Sequence, residues 1–129
     1  MTGQRAQALV EFALVLPVLL VLALAITELS ELGVARLALE HAAAEGARTA
    51  ALTNDDQLAR ASVAAAAAPL EATRVDVAID PPEAQRGSDP RGTLIAVHLR
   101  YAIAAPLSVF GLPALVVRGE AARLMEWTP

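Results

Sequence analysis

Apolar positions follow three different rhythms along this chain. From Gln7 to Thr27 it reads QALVEFALVLPVLLVLALAIT, an apolar run interrupted only by Glu11 and Pro17. A helix that is apolar all round offers water no face. About 20 residues at about 1.5 Å rise match the ~30 Å hydrocarbon thickness of a bilayer. From Glu28 to Leu52 the rhythm changes to steps of three and four. Leu32, Ala35, Leu39, Ala42, Gly46 and Ala50 form one small-residue stripe, with Arg36, Glu40, His41, Glu45 and Arg48 around the opposite half. Val34 and Leu37 depart from that division. No loop composition separates the two stretches, so one helix is expected to run through both. The stripe predicts close packing against a sheet or a second helix. Gly33 and Gly46 each cost up to about 1 kcal/mol in a helix, which close packing offsets.

The third rhythm is a period of two. Thr53-Asn54-Asp55-Asp56 breaks the first helix and caps a second, expected from Asp55 to Ala68 and ended by Pro69. Val75, Val77 and Ile79 then alternate with Arg74, Asp76, Ala78 and Asp80, and Ile95, Val97, Leu99 and Tyr101 with Leu94, Ala96, His98 and Arg100. The polar, proline-rich stretch Asp80–Gly92 between them reads as a mobile hairpin loop. A third strand spans Leu115 to Trp127, its register open because Val116 and Val117 point to opposite faces. The connection Ala104–Pro113 is apolar for a loop, with Leu107, Val109, Phe110 and Leu112, and either packs across the sheet or meets a partner. The expected class is α+β: a long N-terminal helix, a short second helix and a three-stranded antiparallel sheet. Such a sheet needs a covering layer, and the later half of the first helix is the natural one.

Three readings of the apolar run compete. As a secretory signal peptide it would have Arg5 as basic start, the run from Phe12 as apolar centre and Ala23-Leu24-Ala25 as cleavage site. Glu11 weighs against it, because a charge at membrane depth costs up to about 2.5–3.5 kcal/mol. The helical pattern also passes Ala25 with no turn signal. A plain single-pass anchor explains the length and leaves Glu11 without a use, whereas charges at membrane depth are usually paired or functional. The third reading starts from Gln7-Ala8-Leu9-Val10-Glu11-Phe12-Ala13-Leu14-Val15-Leu16-Pro17 and from Ala42-Ala43-Ala44-Glu45-Gly46-Ala47-Arg48. Together these phrases resemble the signature of the TadE-like family of tight-adherence pilus assembly, which is similar to type IV pilins. Val117-Arg118-Gly119-Glu120-Ala121-Ala122-Arg123-Leu124-Met125-Glu126 resembles that family's closing strand.

The resemblance implies a short basic cytosolic leader over residues 1–6, a transmembrane helix over 7–29 and a small extracytoplasmic α+β domain over 30–129. It implies a cut by a prepilin-type peptidase between Ala6 and Gln7, leaving Glu11 fifth in the mature chain; Ala6 stands where the family usually has glycine. The implied role is a structural one, that of a minor pilin or pseudopilin in a bacterial cytoplasmic membrane or pilus. Its implied partners are other pilin or pseudopilin subunits, an assembly platform, the peptidase and membrane lipid. A carboxylate buried among apolar helices must be paired or neutralised, so Glu11, Phe12 and Pro17 are the expected assembly residues. Leu32, Ala35, Leu39, Ala42 and Gly46 are the expected helix-packing residues. Pro17 lacks an N–H and is expected to kink or weaken the helix locally. The charge order, Arg5 before the run and Glu28 and Glu31 after it, favours a cytosolic N-terminus. The alternative function is a membrane-tethered extracytoplasmic binding module with no pilus role, engaging its ligand through the sheet or the Asp80–Gly92 loop.

Composition narrows the chemistry. A net charge of −4 argues against nucleic acid, which needs a basic face. Without cysteine there is neither a disulfide framework nor a thiolate nucleophile. His41 and His98 have no neighbouring ligand set, and His41 with Glu45 reads as a solvated helix contact. Asp80, Glu83 and Asp89 share a loop without the spacing of a calcium loop. Ser30, Ser62, Ser88 and Ser108 lie in no nucleophile motif, and Glu45 with Arg48 is explained by a helix-face ion pair. No cofactor, metal, small-molecule substrate or enzyme activity is expected.

Overall fold

A computed structural model describes residues 2–103, 111 and 113–129. Their order is α1 (Thr2–Thr53), α2 (Asp56–Ala66), β1 (Val75–Asp80), β2 (Leu94–Ile103) and β3 (Leu115–Leu124), with single 3-10 turns at Ala72–Arg74 and Glu83–Gln85. This is the expected α+β class. The chain divides into two compact units, Met1–Glu31 and Leu32–Pro129. Most of the apolar connection from Ala104 to Pro113 lies outside the described residues.

In the first unit α1 carries Pro17 in its interior without a break. The proline leaves the Ala13 carbonyl without its intrahelical donor. From Gly3 to Glu31 every residue but Glu28 is exposed.

The second unit begins with the last turns of α1, which stop at Asn54. Its φ of 53° is left-handed. Its N–H donates to Ala50 O at 3.0 Å, closing the helix. Asp55 caps α2 at once, its Oδ1 accepting from Gln57 N at 2.7 Å and Leu58 N at 3.0 Å. The second helix is shorter than its composition suggested, because the residue before Pro69 is pushed out of the helical region.

The sheet is an antiparallel meander in the order β1-β2-β3. Its registers run from Val75↔Tyr101 to Asp80↔Ala96 and from Leu94↔Leu124 to Ile103↔Leu115. Ile79, Ile95, Val97, Leu99 and Val117 point inward, where they meet Leu39, Ala42, Ala43, Ala47 and Ala50 of α1 and Ala59 and Val63 of α2. The choice open at Val116–Val117 is resolved by burial: Val117 is 6% exposed and Val116 46%. β3 ends at Leu124, earlier than expected, because after Met125 the main chain leaves the ladder to bond α1. Met125 N donates to Thr93 O at 2.9 Å, and Glu126 N and Trp127 N both donate to Ala51 O at 3.0 Å. Fully buried side chains such as Leu39, Ile95 and Leu99 each contribute about 1.5–3 kcal/mol.

Alanine and glycine make this small core possible. A Cβ on Gly119 would lie 2.7 Å from the backbone carbon of Leu39, so β3 crosses α1 at a distance only glycine permits. A Cβ on Gly46 would lie 2.5 Å from Val63 Cγ2 and 3.5 Å from Val97 Cγ1. α1 is therefore covered by α2 and the sheet together. That double cover widens its buried face beyond the expected stripe, to Ala38, Ala43, Ala47 and Ala51.

Candidate functional site

The apolar stretch of α1 is the first candidate, taken within its own unit. Leu9, Phe12, Leu14 and Leu22 are 70%, 60%, 71% and 54% exposed, and they lie all around the helix rather than on one face. Glu11 stands exposed among them, and the Gln7 side-chain amide donates to its Oε1 at 3.4 Å, a long and weak contact. Ala6, Gln7, Glu11 and Phe12 lie together in the second and third turns, and Pro17 follows on the same helix. Polar side chains at the far end turn back onto the helix: Thr27 Oγ1 donates to Ala23 O at 3.0 Å and Ser30 Oγ to Ile26 O at 2.9 Å. Such back-bonding satisfies a hydroxyl where no water is at hand. The stretch is long and apolar enough to cross a membrane, and it fits a single-pass anchor.

In the second unit Ala35, Leu39, Ala42 and Gly46 are buried in the core and Leu32 packs at its margin. Those five residues bind the unit to its own sheet and α2. On the other side Arg36 Nε donates to Glu40 Oε1 at 3.0 Å. The Glu45–Arg48 and His41–Glu45 pairings suggested by spacing do not occur among the described ion pairs.

The Asp80–Gly92 loop is anchored rather than free. The Arg86 side chain is fully buried, paired with Asp56, and its Nε donates to Pro81 O at 2.9 Å and its Nη1 to Asn54 Oδ1 at 3.2 Å. Glu83 and Asp56 bond reciprocally, Glu83 N to Asp56 Oδ2 at 3.0 Å and Asp56 N to Glu83 Oε2 at 3.2 Å. An arginine in a proline-rich loop gave no sequence signal of its own for this clamp. The signal lay in the acids of the facing helix start, which needed a cation. Further along the loop Arg91 Nε donates to Asp89 Oδ1 at 2.7 Å, and this hydrogen bond holds the Asp89 carboxyl below the usual carboxylate range. Among the described residues no three His, Asp or Glu side chains gather where a metal ion could sit.

An apolar helix exposed on every side with one carboxylate near its start, preceding a small α+β unit, fits a protein held by a single-pass membrane anchor. The model of the family described as TadE-like protein matches residues 6–48, a third of the chain. The match runs from Ala6 through Glu11, Phe12 and Pro17 to Gly46 and Arg48, and so bears out the resemblance carried by the two phrases. Over that segment the chain is similar to a family of tight-adherence pilus assembly. No curated protein and no solved structure matches the chain.

Proposed function

We propose that the chain is a minor pilin or pseudopilin-like subunit of a tight-adherence pilus or secretion system, working by helix–helix packing rather than by catalysis. The observation that carries this reading is the carboxylate of Glu11 on a helix exposed all round, inside the segment that matches the family. Residues 1–6 are the cytosolic leader, 7–29 cross the cytoplasmic membrane and 30–129 form the extracytoplasmic domain. A prepilin-type peptidase cuts between Ala6 and Gln7. The new amine of Gln7, on the same or a neighbouring subunit, pairs with Glu11 and sets the axial register between helices, with Phe12 and Pro17 shaping the contact. Removing one partner of such a pair leaves a charge stranded in an apolar medium, at a cost of several kcal/mol. The partners are other pilin or pseudopilin subunits and the membrane assembly platform.

The test compares wild-type chain with Glu11→Ala in cells that carry the whole pilus system. Glu11→Ala is expected to insert normally and to co-purify with its pilin partners at least about tenfold less well, the equivalent of about 1.4 kcal/mol. Mass spectrometry of the wild-type chain is expected to show Gln7 as first residue. Normal incorporation of Glu11→Ala would overturn the assembly role, and a chain beginning at Ile26 would show a released secreted domain instead.

A further inference from the structure

The two outer edges of the sheet are treated differently. On β1, Arg60 of α2 reaches across and its Nη1 donates to Val77 O at 2.7 Å, so that edge is partly closed. On β3, among the described residues, no main-chain group between Leu115 and Leu124 bonds to anything beyond β2. The ladder also fixes which groups face out. Met125 N bonds Thr93 O in continuation of the register Leu94↔Leu124, so the odd-numbered residues of β3 turn their N–H and C=O toward β2. Val116, Arg118, Glu120 and Ala122 turn theirs outward. An edge of this length is a template for another strand.

Space and charge describe what fits there. A hollow of about 550 Å³ is lined by Arg36, Glu40 and Ala44 of α1 and by Arg118–Ala121 of β3. A second, of about 480 Å³, adjoins it between Leu32 and Leu115–Arg118. At the second hollow Leu115 and Val116 are 51% and 46% exposed. Arg36 is paired with Glu40 at 3.0 Å, and Glu120 lies 3.4 Å from His98 Nδ1. Arg118 has no carboxylate within ion-pair distance among the described residues, and Arg100 stands directly opposite it on β2. Like charges in that position repel. Arg100 has Asp76 opposite it on β1, and a carboxylate on the far side of Arg118 would balance the row in the same way.

We propose that the open edge of β3 accepts a strand from a partner protein: an extended segment of alternating aliphatic residues with one acidic residue opposite Arg118. Main-chain bonds supply the affinity and Arg118 the choice. Self-pairing of β3 about Gly119 would also set an acid, the Glu120 of a second copy, opposite Arg118, but it brings Arg123 against Leu115 beside the second hollow, where an aliphatic side chain fits. The inference does not depend on the pilus reading.

The experiment uses the full chain in detergent micelles and two labelled peptides, Val-Thr-Val-Glu-Val-Thr-Val and its twin with Lys for Glu. The acidic peptide is expected to bind about fivefold more tightly, the upper range for an opposite-charge cross-strand pair. Binding should slow amide exchange at Arg118, Glu120 and Ala122. Arg118→Glu should invert the preference between the peptides, a reciprocal change that loss of fold cannot imitate. Ala122→Pro, which removes one outward N–H and leaves the bonds to β2, should weaken both peptides about fivefold. Equal binding of the two peptides, a preference untouched by Arg118→Glu, or protection elsewhere would each overturn the proposal. So would a dimeric free chain with these amides already protected, since a second copy would then own the edge.

Discussion

Two stretches of α1 use hydrophobic residues to opposite ends. Between Leu9 and Ile26 the side chains are mostly large and exposed on every side; between Ala35 and Ala51 the buried ones, Leu39 apart, are alanine and glycine along one broad face. Large side chains with nothing packed on them suit a medium that is itself apolar. Small ones let backbones approach until dispersion and exclusion of water hold them. The same helical geometry thus suits an apolar medium in one stretch and close packing in the other. The difference lies in side-chain size, and hydropathy alone does not report it.

Substitutions at the two stretches should therefore behave differently, with Trp127, the single tryptophan, packed at the margin of the core as reporter. The largest effect is expected from Gly119→Val. Its Cβ meets the Leu39 backbone, which cannot rotate away, and the cost should reach about 3 kcal/mol or more. Urea titration of the full chain in micelles should then show the Trp127 transition lost or moved to very low denaturant. Leu39→Ala comes next, at about 2–5 kcal/mol for a cavity at a fully buried site. Leu19→Ala, in the exposed stretch, should leave that transition within about 0.5 kcal/mol. Equal effects of the two leucine changes would erase the distinction between the stretches.

Arg86→Ala sharpens the comparison from the loop side. It leaves Asp56 without its cation in a half-buried setting and should cost about 2–3 kcal/mol, with faster amide exchange across Asp80–Gly92. The smallest effect belongs to Asp89→Asn. Arg91 depresses the Asp89 carboxyl below its ordinary 3.8, so the pair's contribution is present above that pH and fades as pH falls through the lower folded value. Both groups are exposed to solvent, so the mutant should differ from wild type only by a slightly flatter acid limb in the pH–stability curve.

The elements were legible because each announced its own period. The apolar run, the stripe from Leu32 to Ala50 and the alternations at Val75–Ile79 and Ile95–Tyr101 all name the element they form. Contacts between elements were less legible. Gly119 reads as a weak point in a strand until Leu39 is seen against it, and a sequence does not say which backbone crosses which. Arg86 and Asp56 are thirty residues apart, so their pairing waits on the turn that brings loop and helix start together. Ala43, Ala47 and Ala51 were set aside by a one-sided stripe because the second covering layer, α2, could not be positioned beforehand. The residues of the candidate assembly site were legible for a different reason. Glu11 and Pro17 are conspicuous wherever the rest of a helix is aliphatic.

The central claim is that the first stretch of α1 lives in lipid while the second unit stands in water. The chain has no cysteine of its own, so single cysteines placed at Leu14, Leu19 and Leu22, and at Leu37 and Leu52 for comparison, can be reacted with a water-soluble maleimide in native membranes opened to both sides. The account predicts no labelling at the first three and ready labelling at the last two. Labelling at all five positions would contradict it.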